Sequence, residues 1–352
     1  MERYIVIDAD GHVEPALGAD WLRFAKEPYG SWLVDKGRRI FDQEGDRAAT
    51  RRGAWDPQAR LEDMDSEGID IAVLFGGNMG LSTQMADNAE YAVAYARAYN
   101  DWLADYCSAD SDRLKGVAMV PVDYPDLAAE ELRRAVTELG AVAVVVQPFY
   151  KNINLYEQHF FPIYEAAQEV DVPVMIHGPG RLRTLLKDRY HTQFERHMVD
   201  FPMSVMMGSM DLLTGGVLDT FPKLRVAMLE GQCGWIPWWL DRLDEHFEKL
   251  PHQVPRIKHP PSEYIETGRV FFSCDADEEE LPHVVDRVGE GVIIYASDYP
   301  HWDCIFPGSV TAISERDTLS PARKRKILGE NAVRLFGAKS SIAEAMNSRA
   351  PA

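Results

Sequence analysis

The first chemistry the sequence offers lies at Asp10 and His12. They close the run Ile5-Val6-Ile7-Asp8-Ala9-Asp10-Gly11-His12, whose apolar beginning reads as a buried strand. Residues two apart on an extended segment face the same side, so a carboxylate and an imidazole meet there. An oxygen and a nitrogen together at a strand end are two ready ligands for a divalent cation. Gly11 between them lets the backbone approach closely. A strand-end Asp beside a His is often only a turn cap or a salt bridge. The reading therefore depends on what else reaches that end.

The elements that must deliver further ligands recur regularly. Apolar runs lie at 5–8, 69–75, 115–121, 141–146, 172–178, 224–231, 270–274 and 292–298. Helical patterns separate them, at 56–68, 84–107, 125–139, 159–170, a Met-rich stretch near 203–220, from Trp235 onward, and 320–336. Asp56-Pro57 is a standard helix opening, with Asp as N-cap and Pro in the first turn. Eight nearly all-apolar strands alternating with helices predict α/β architecture: a single (β/α)8 TIM barrel. An open doubly wound sheet would carry a glycine fingerprint after strand one, where Asp10-Gly11-His12 stands instead. The barrel occupies residues 1–340, with an insertion after strand one at about 13–55; the tail at 341–352 is expected to be loosely held. The 352 residues and 46% hydrophobic content suit one large core.

Barrel chemistry sits where the strand C-termini converge. Those ends supply Asp10 and His12, Gln147, His177, Glu230, Asp275 and Asp298. Each alone has a bland account: a helix cap for Asp275, an arginine partner for Glu230, a buried hydrogen-bonded ring for His177. Crowded together they would be costly without a cation. His301 follows closely enough to polarise a substrate oxygen or donate a proton, or simply to pack a loop. His191 and His197 lie after strand five and could reach the site, with surface positions as the default expectation. Phe75, Phe149, Tyr150 and Trp302 would suit a planar or unsaturated substrate, whereas Trp235, Trp238 and Trp239 fit helix packing. Arg51, Arg52 and Arg60 are cations that could meet a substrate carboxylate, although Arg60 could equally pair with an acid on its own helix.

Several motifs resemble one known family. They are Asp8-Ala9-Asp10-Gly11-His12-Val13-Glu14-Pro15, Arg60-Leu61-Glu62-Asp63-Met64-Asp65, Pro173-Val174-Met175-Ile176-His177, Gly234-Trp235-Ile236-Pro237, Ser297-Asp298-Tyr299-Pro300-His301 and Leu328-Gly329-Glu330-Asn331-Ala332. The chain resembles the amidohydrolase superfamily over nearly its whole length, within the branch that includes aminocarboxymuconate semialdehyde decarboxylase. The resemblance implies one metal ion held by Asp10, His12, His177 and Asp298. It departs from much of the superfamily in having Asp10 where His is common and Glu230 where the strand-six His is common. No lysine ends strand four to bridge two metals; Gln147 is its neighbour, so one ion is expected. Two imidazoles and two carboxylates suit Zn²⁺ first and Mn²⁺ as the alternative. Glu230 would be a fifth ligand, a general base or a proton donor, with Asp298 and His301 as its catalytic companions. Gln147, Phe75, Arg60 and Trp302 are the candidate substrate contacts. The resemblance also implies a homodimer, with the long insertion and residues 198–210 as possible surfaces.

The balance of charge narrows the partners. With 37 basic and 56 acidic residues the chain carries −19, which argues against nucleic acid and anionic membranes. A small anionic or aromatic substrate needs only a local positive centre. Four cysteines without a C-x-x-C pair fit a reducing cytoplasm, and no leader or apolar run near 18 residues points to secretion or a membrane span. Two reactions compete on this scaffold: non-oxidative decarboxylation, which the resemblance favours, and hydrolysis of an amide, ester or lactone. A non-catalytic metal-binding barrel is a third reading.

Overall fold

The computed structural model describes residues 3–14, 23–25, 27–32, 51–76, 88–148, 150–178 and 189–349. Most of the insertion after strand one, and Phe149, lie outside the described residues. The strands are β1 (Ile7–Val13), β2 (Ile71–Gly76), β3 (Leu114–Ala118), β4 (Ala143–Val146), β5 (Val174–Ile176), β6 (Val226–Met228), β7 (Val270–Cys274) and β8 (Ile293–Tyr295). They pair in parallel in chain order. Beyond the end of β8 the sheet meets its own beginning: Asp298 N donates to Asp10 O at 2.9 Å and His12 N to Tyr299 O at 2.6 Å. The predicted barrel is the fold found.

Each strand is followed by one main helix. These helices are α1 (Pro57–Glu67), α2 (Ala89–Cys107), α3 (Pro125–Leu139), α4 (Phe161–Glu169), α5 (Gln193–Thr214), α6 (Ile236–Lys249), α7 (Leu281–Val288) and α8 (Asn331–Phe336). Local sequence explains their ends. Asp56 caps α1 by accepting from Gln58 N and Ala59 N, and Gly68 ends it in a left-handed conformation. The helix expected near 203–220 instead starts at Gln193, because Thr192 and Glu195 form a reciprocal capping box ten residues upstream. The helix expected at 320–336 is found: Pro321–Arg325, a π-helical turn at Lys326–Glu330 and α8 run on with helical backbone at both junctions.

One expectation is corrected at the C-terminus. Rather than hanging loose, Ser341–Arg349 form a further helix, α9, with Ile342 fully buried. Ile342, Ala345 and Met346 recur at helical spacing and join the cluster that fills the barrel lumen, beside Leu335 and Phe336. Ser340 Oγ accepts from Ala343 N at its start.

The lumen is packed by alternate strand residues, among them Ile7, Ile71, Val73, Phe75, Met175 and Phe271. The remaining strand faces pack outward against the helices. On β1 this alternation is broken. Ile7 pairs with Ile71 and His12 with Phe75, so five steps on β1 match four on β2, with the shift between Asp8 and Gly11. This one-residue bulge moves His12 onto the lumen face, where strict alternation from Ile7 would have turned it outward.

Candidate metal centre

Asp10, His12, His177, Glu230, Asp298 and His301 converge at the C-terminal mouth of the barrel. Ligand-capable atoms of Asp10, His12 and His177 all lie within 4.8 Å of one another, and so do those of His12, Glu230, Asp298 and His301. His12 belongs to both sets. Asp10 Oδ1 is 2.9 Å from His177 Nε2 and 3.3 Å from His12 Nε2, which in turn is 3.2 Å from Asp298 Oδ1. Asp298 Oδ1 faces His301 Nδ1 at 2.7 Å. Glu230 spans the rings of His177 and His301, at 3.5 Å and 3.8 Å.

Backbone conformation aims these groups. Glu230 and Asp298 both adopt left-handed backbone, with φ of 58° and 54°. Non-glycine residues are rarely held so except where the surroundings over-determine them, as at functional sites. The β1 bulge aims Asp10 and His12. Beneath it, Asp8 is fully buried and accepts from Ser297 N, Ser297 Oγ and Asp10 N. A Cβ at Gly11 would collide with the Arg60 guanidinium, so glycine here is a packing requirement.

Rings lock the imidazoles. Phe75 stacks on His177 with centroids 4.8 Å apart, and His12 stacks on His301 at 4.0 Å. Phe75, expected to meet substrate, is itself fully buried and serves as the back plate of His177. Gln147 is half-buried just past β4, while Trp302 is 59% exposed at the rim.

Arg60 is the clear correction. Expected among the cations for a substrate carboxylate, it is 1% exposed and engaged from below. Its Nη1 donates to His12 O at 3.1 Å, Nη2 lies 3.6 Å from Asp8 Oδ2, and the guanidinium covers the Tyr299 ring at 4.4 Å. Being on α1, it reaches the underside of β1 rather than the mouth. Arg51 holds Phe306 O and its ring, and Arg52 pairs with Asp56. Asp275 is tied to Gln232 Nε2 at 2.9 Å, and burial raises its carboxyl to about 6. His191 is exposed as expected, but His197 is not a free surface residue: it faces Asp303 and Trp302.

The electrostatics leave a place for a cation. Several buried polar atoms here have no hydrogen-bond partner: Asp10 Oδ2, both nitrogens of His12, His177 Nδ1 and Glu230 Oε2. Such atoms are costly to leave unmatched, and imidazole nitrogens mixed with carboxylate oxygens are the donors a borderline divalent ion takes. Burial opposes charge on His12, yet Asp10 and Asp298 outweigh it and raise its pKa. At His177 burial prevails and lowers it. Burial works against the Asp298 carboxylate too, but His301 and His12 hold its pKa below the usual range. Glu230 goes the other way: burial, then the Asp298 charge, push it well up. The donor set fits one divalent ion.

A family description, amidohydrolase, matches residues 7–338. The chain belongs to the amidohydrolase family. Among its relatives is a 2-amino-3-carboxymuconate-6-semialdehyde decarboxylase of Dictyostelium discoideum, 27% identical over 346 residues, covering 95% of this chain and 92% of the relative. A gamma-resorcylate decarboxylase of Rhodococcus jostii is 28% identical over 293 residues, covering 79% and 86%. A solved 5-carboxyvanillate decarboxylase of Novosphingobium aromaticivorans, with bound manganese and 3-methoxy-4-hydroxy-5-nitrobenzoic acid, is 25% identical. It superposes with a TM-score of 0.74 over 95% of this chain and 97% of its own. This amidohydrolase thus shares its fold and most of its length with decarboxylases.

Proposed function

We propose that this amidohydrolase is a mononuclear metal-dependent decarboxylase that removes CO₂ from a small aromatic or unsaturated carboxylate. The observation that carries the reading is the convergence of Asp10, His12, His177 and Asp298 with unmatched buried donor atoms, beside a Glu230 whose carboxyl pKa is pushed up by burial and by the Asp298 charge. The decarboxylase relatives support the same reaction. In this reading those four residues hold the ion, and Asp10, between two imidazoles, sets their spacing. A divalent cation there supplies the positive charge that fixes the substrate carboxylate and a neighbouring oxygen.

The remaining steps belong to the chain. When the bond to the carboxyl carbon breaks, its electron pair stays on the ring or alkene carbon, which must take up a proton. Glu230 is the group placed to give one, from a carboxyl whose charge is disfavoured by burial and by Asp298. Asp298 Oδ1 engages His301 Nδ1, which leaves Nε2 as the ring atom for a substrate oxygen. Gln147 and Trp302 flank the mouth as substrate contacts. Hydrolysis would use Glu230 as a general base instead; the decarboxylase relatives favour the first reaction.

The carboxylate-rich donor set and the manganese in a solved relative support Mn²⁺ as the first ion to load, with Zn²⁺ second. Phe194, Met198 and Met203, exposed on α5, support a homodimer, and four free cysteines support a cytoplasmic setting. Among the described residues no helix is long and apolar enough to cross a membrane.

Metal counting comes first, then CO₂ release from 2,6-dihydroxybenzoate and related hydroxylated aromatic carboxylates by Mn²⁺-loaded protein, with amides and lactones in parallel. Release of CO₂ supports the assignment. A loaded protein that cleaves a lactone or amide and releases none overturns it.

A further inference from the structure

The residues after His301 are gripped from across the mouth by a side chain outside the metal centre. His197, on α5, is only partly exposed, and its Nε2 lies 3.4 Å from Asp303 Oδ2. The same ring meets Trp302 edge-on, with centroids 5.4 Å apart, and is backed by Phe201 at 4.4 Å. One imidazole therefore engages both residues that directly follow His301.

We propose that His197 is a positioning residue for the turn that carries Asp298 and His301, acting through Asp303 and Trp302. The turn is short and self-connected: His301 N donates to Asp298 O at 2.9 Å and Cys304 N to His301 O at 3.2 Å. A shift at 302–303 is thus passed to His301 within one hydrogen-bonded turn. The shift has a driving force. Asp303 stands near enough to Asp298 for like-charge repulsion to act between them, and His197 is the partner that holds its carboxylate toward α5. Without that ring Asp303 is no longer anchored at α5, the turn is free to shift, and the His301 imidazole leaves its 2.7 Å contact with Asp298. Trp302, 59% exposed, loses the edge that fixes its indole at the rim. Misplacing a reacting group by about 1 Å costs up to about a hundredfold in rate.

The role in turnover rests on the decarboxylase reading; the role in holding the turn does not. The test therefore uses two readouts on Mn²⁺-loaded full-length protein, comparing wild type with His197→Ala and His197→Gln, the latter keeping an N–H donor at that end. Hydrogen–deuterium exchange in the peptide spanning 298–304 is expected to quicken in His197→Ala, with the barrel strands unchanged, and to return toward wild type in His197→Gln. With 2,6-dihydroxybenzoate, kcat is expected to fall about ten- to hundredfold at nearly constant KM, and the glutamine variant to recover most of it. Unchanged exchange at 298–304 in His197→Ala overturns the proposal, as does exchange that rises throughout the barrel. If the local exchange rises while wild type releases no CO₂ from any aromatic carboxylate, the decarboxylase reading fails and the positioning role stands.

Discussion

Arg60 offers the sharpest test of how the site is supported. Replacing it with alanine removes a bond to His12 O, the cation beside Asp8 and a cation–π contact with Tyr299, all inside the protein. Asp8 keeps its bonds from Ser297 and Asp10 but becomes a fully buried carboxylate without a counter-charge. Breaking a buried pair in this way costs about 3–5 kcal/mol, and the three contacts overlap too closely to be summed. Over 352 residues, at about 2.1 cal/mol/K per residue, a loss of about 4 kcal/mol lowers Tm by roughly 5 °C. Differential scanning calorimetry on metal-loaded protein reads this directly. Arg60→Ala should lose stability, while the Asp8→Asn/Arg60→Met pair, which strands no charge, should recover much of it. An Arg60→Ala protein with wild-type Tm and a KM raised many-fold would refute the reasoning and return Arg60 to the substrate.

His177→Ala and Asp298→Ala should each lose bound metal while the barrel remains folded; full occupancy by elemental analysis in either would remove that residue from the ligand set. Glu230→Gln should retain the metal and lose about 10²–10⁴ in kcat, and wild-type turnover would take Glu230 out of the proton transfer. Asp211 gives a pH prediction away from the site. Burial raises its carboxyl to about 6 although Leu155 N donates to it, so the folded state binds this proton more tightly than the unfolded chain. Its contribution to stability is complete below about pH 4, declines as pH rises to about 6 and is lost above that. Asp211→Asn, which preserves an acceptor for Leu155, should therefore be more stable than wild type at pH 7.5 by about 2–3 kcal/mol and gain little at pH 4. Urea unfolding with the same advantage at both pH values would contradict this account.

The barrel and the ligand candidates were legible because they rest on short-range rules. Apolar runs long enough only for strands, spaced by helical patterns, left few ways to bury both sheet faces, and the strand ends named Asp10, His12, His177, Glu230 and Asp298. Asp56-Pro57 and Gly68 marked α1 through local hydrogen bonds and local φ. The capping box before α5 and the Ile342, Ala345, Met346 spacing of α9 were equally local signals, present in the sequence and outweighed there by a Met-rich pattern and by nearness to the terminus. What the sequence could not decide was direction across space. A bulge costs one residue and leaves no mark on composition, yet it is what turns His12 into the lumen. Arg60 looked like a cation for substrate because its sequence neighbours do not include Asp8 or His12; only the docking of α1 beneath β1 gives it both. His197 likewise reads as surface until α5 is laid against the turn after β8. Residue types and periodicity determine which groups exist and which strand carries them. Contacts between residues far apart in the chain decide which group faces substrate, which supports a ligand from behind, and which pins a loop.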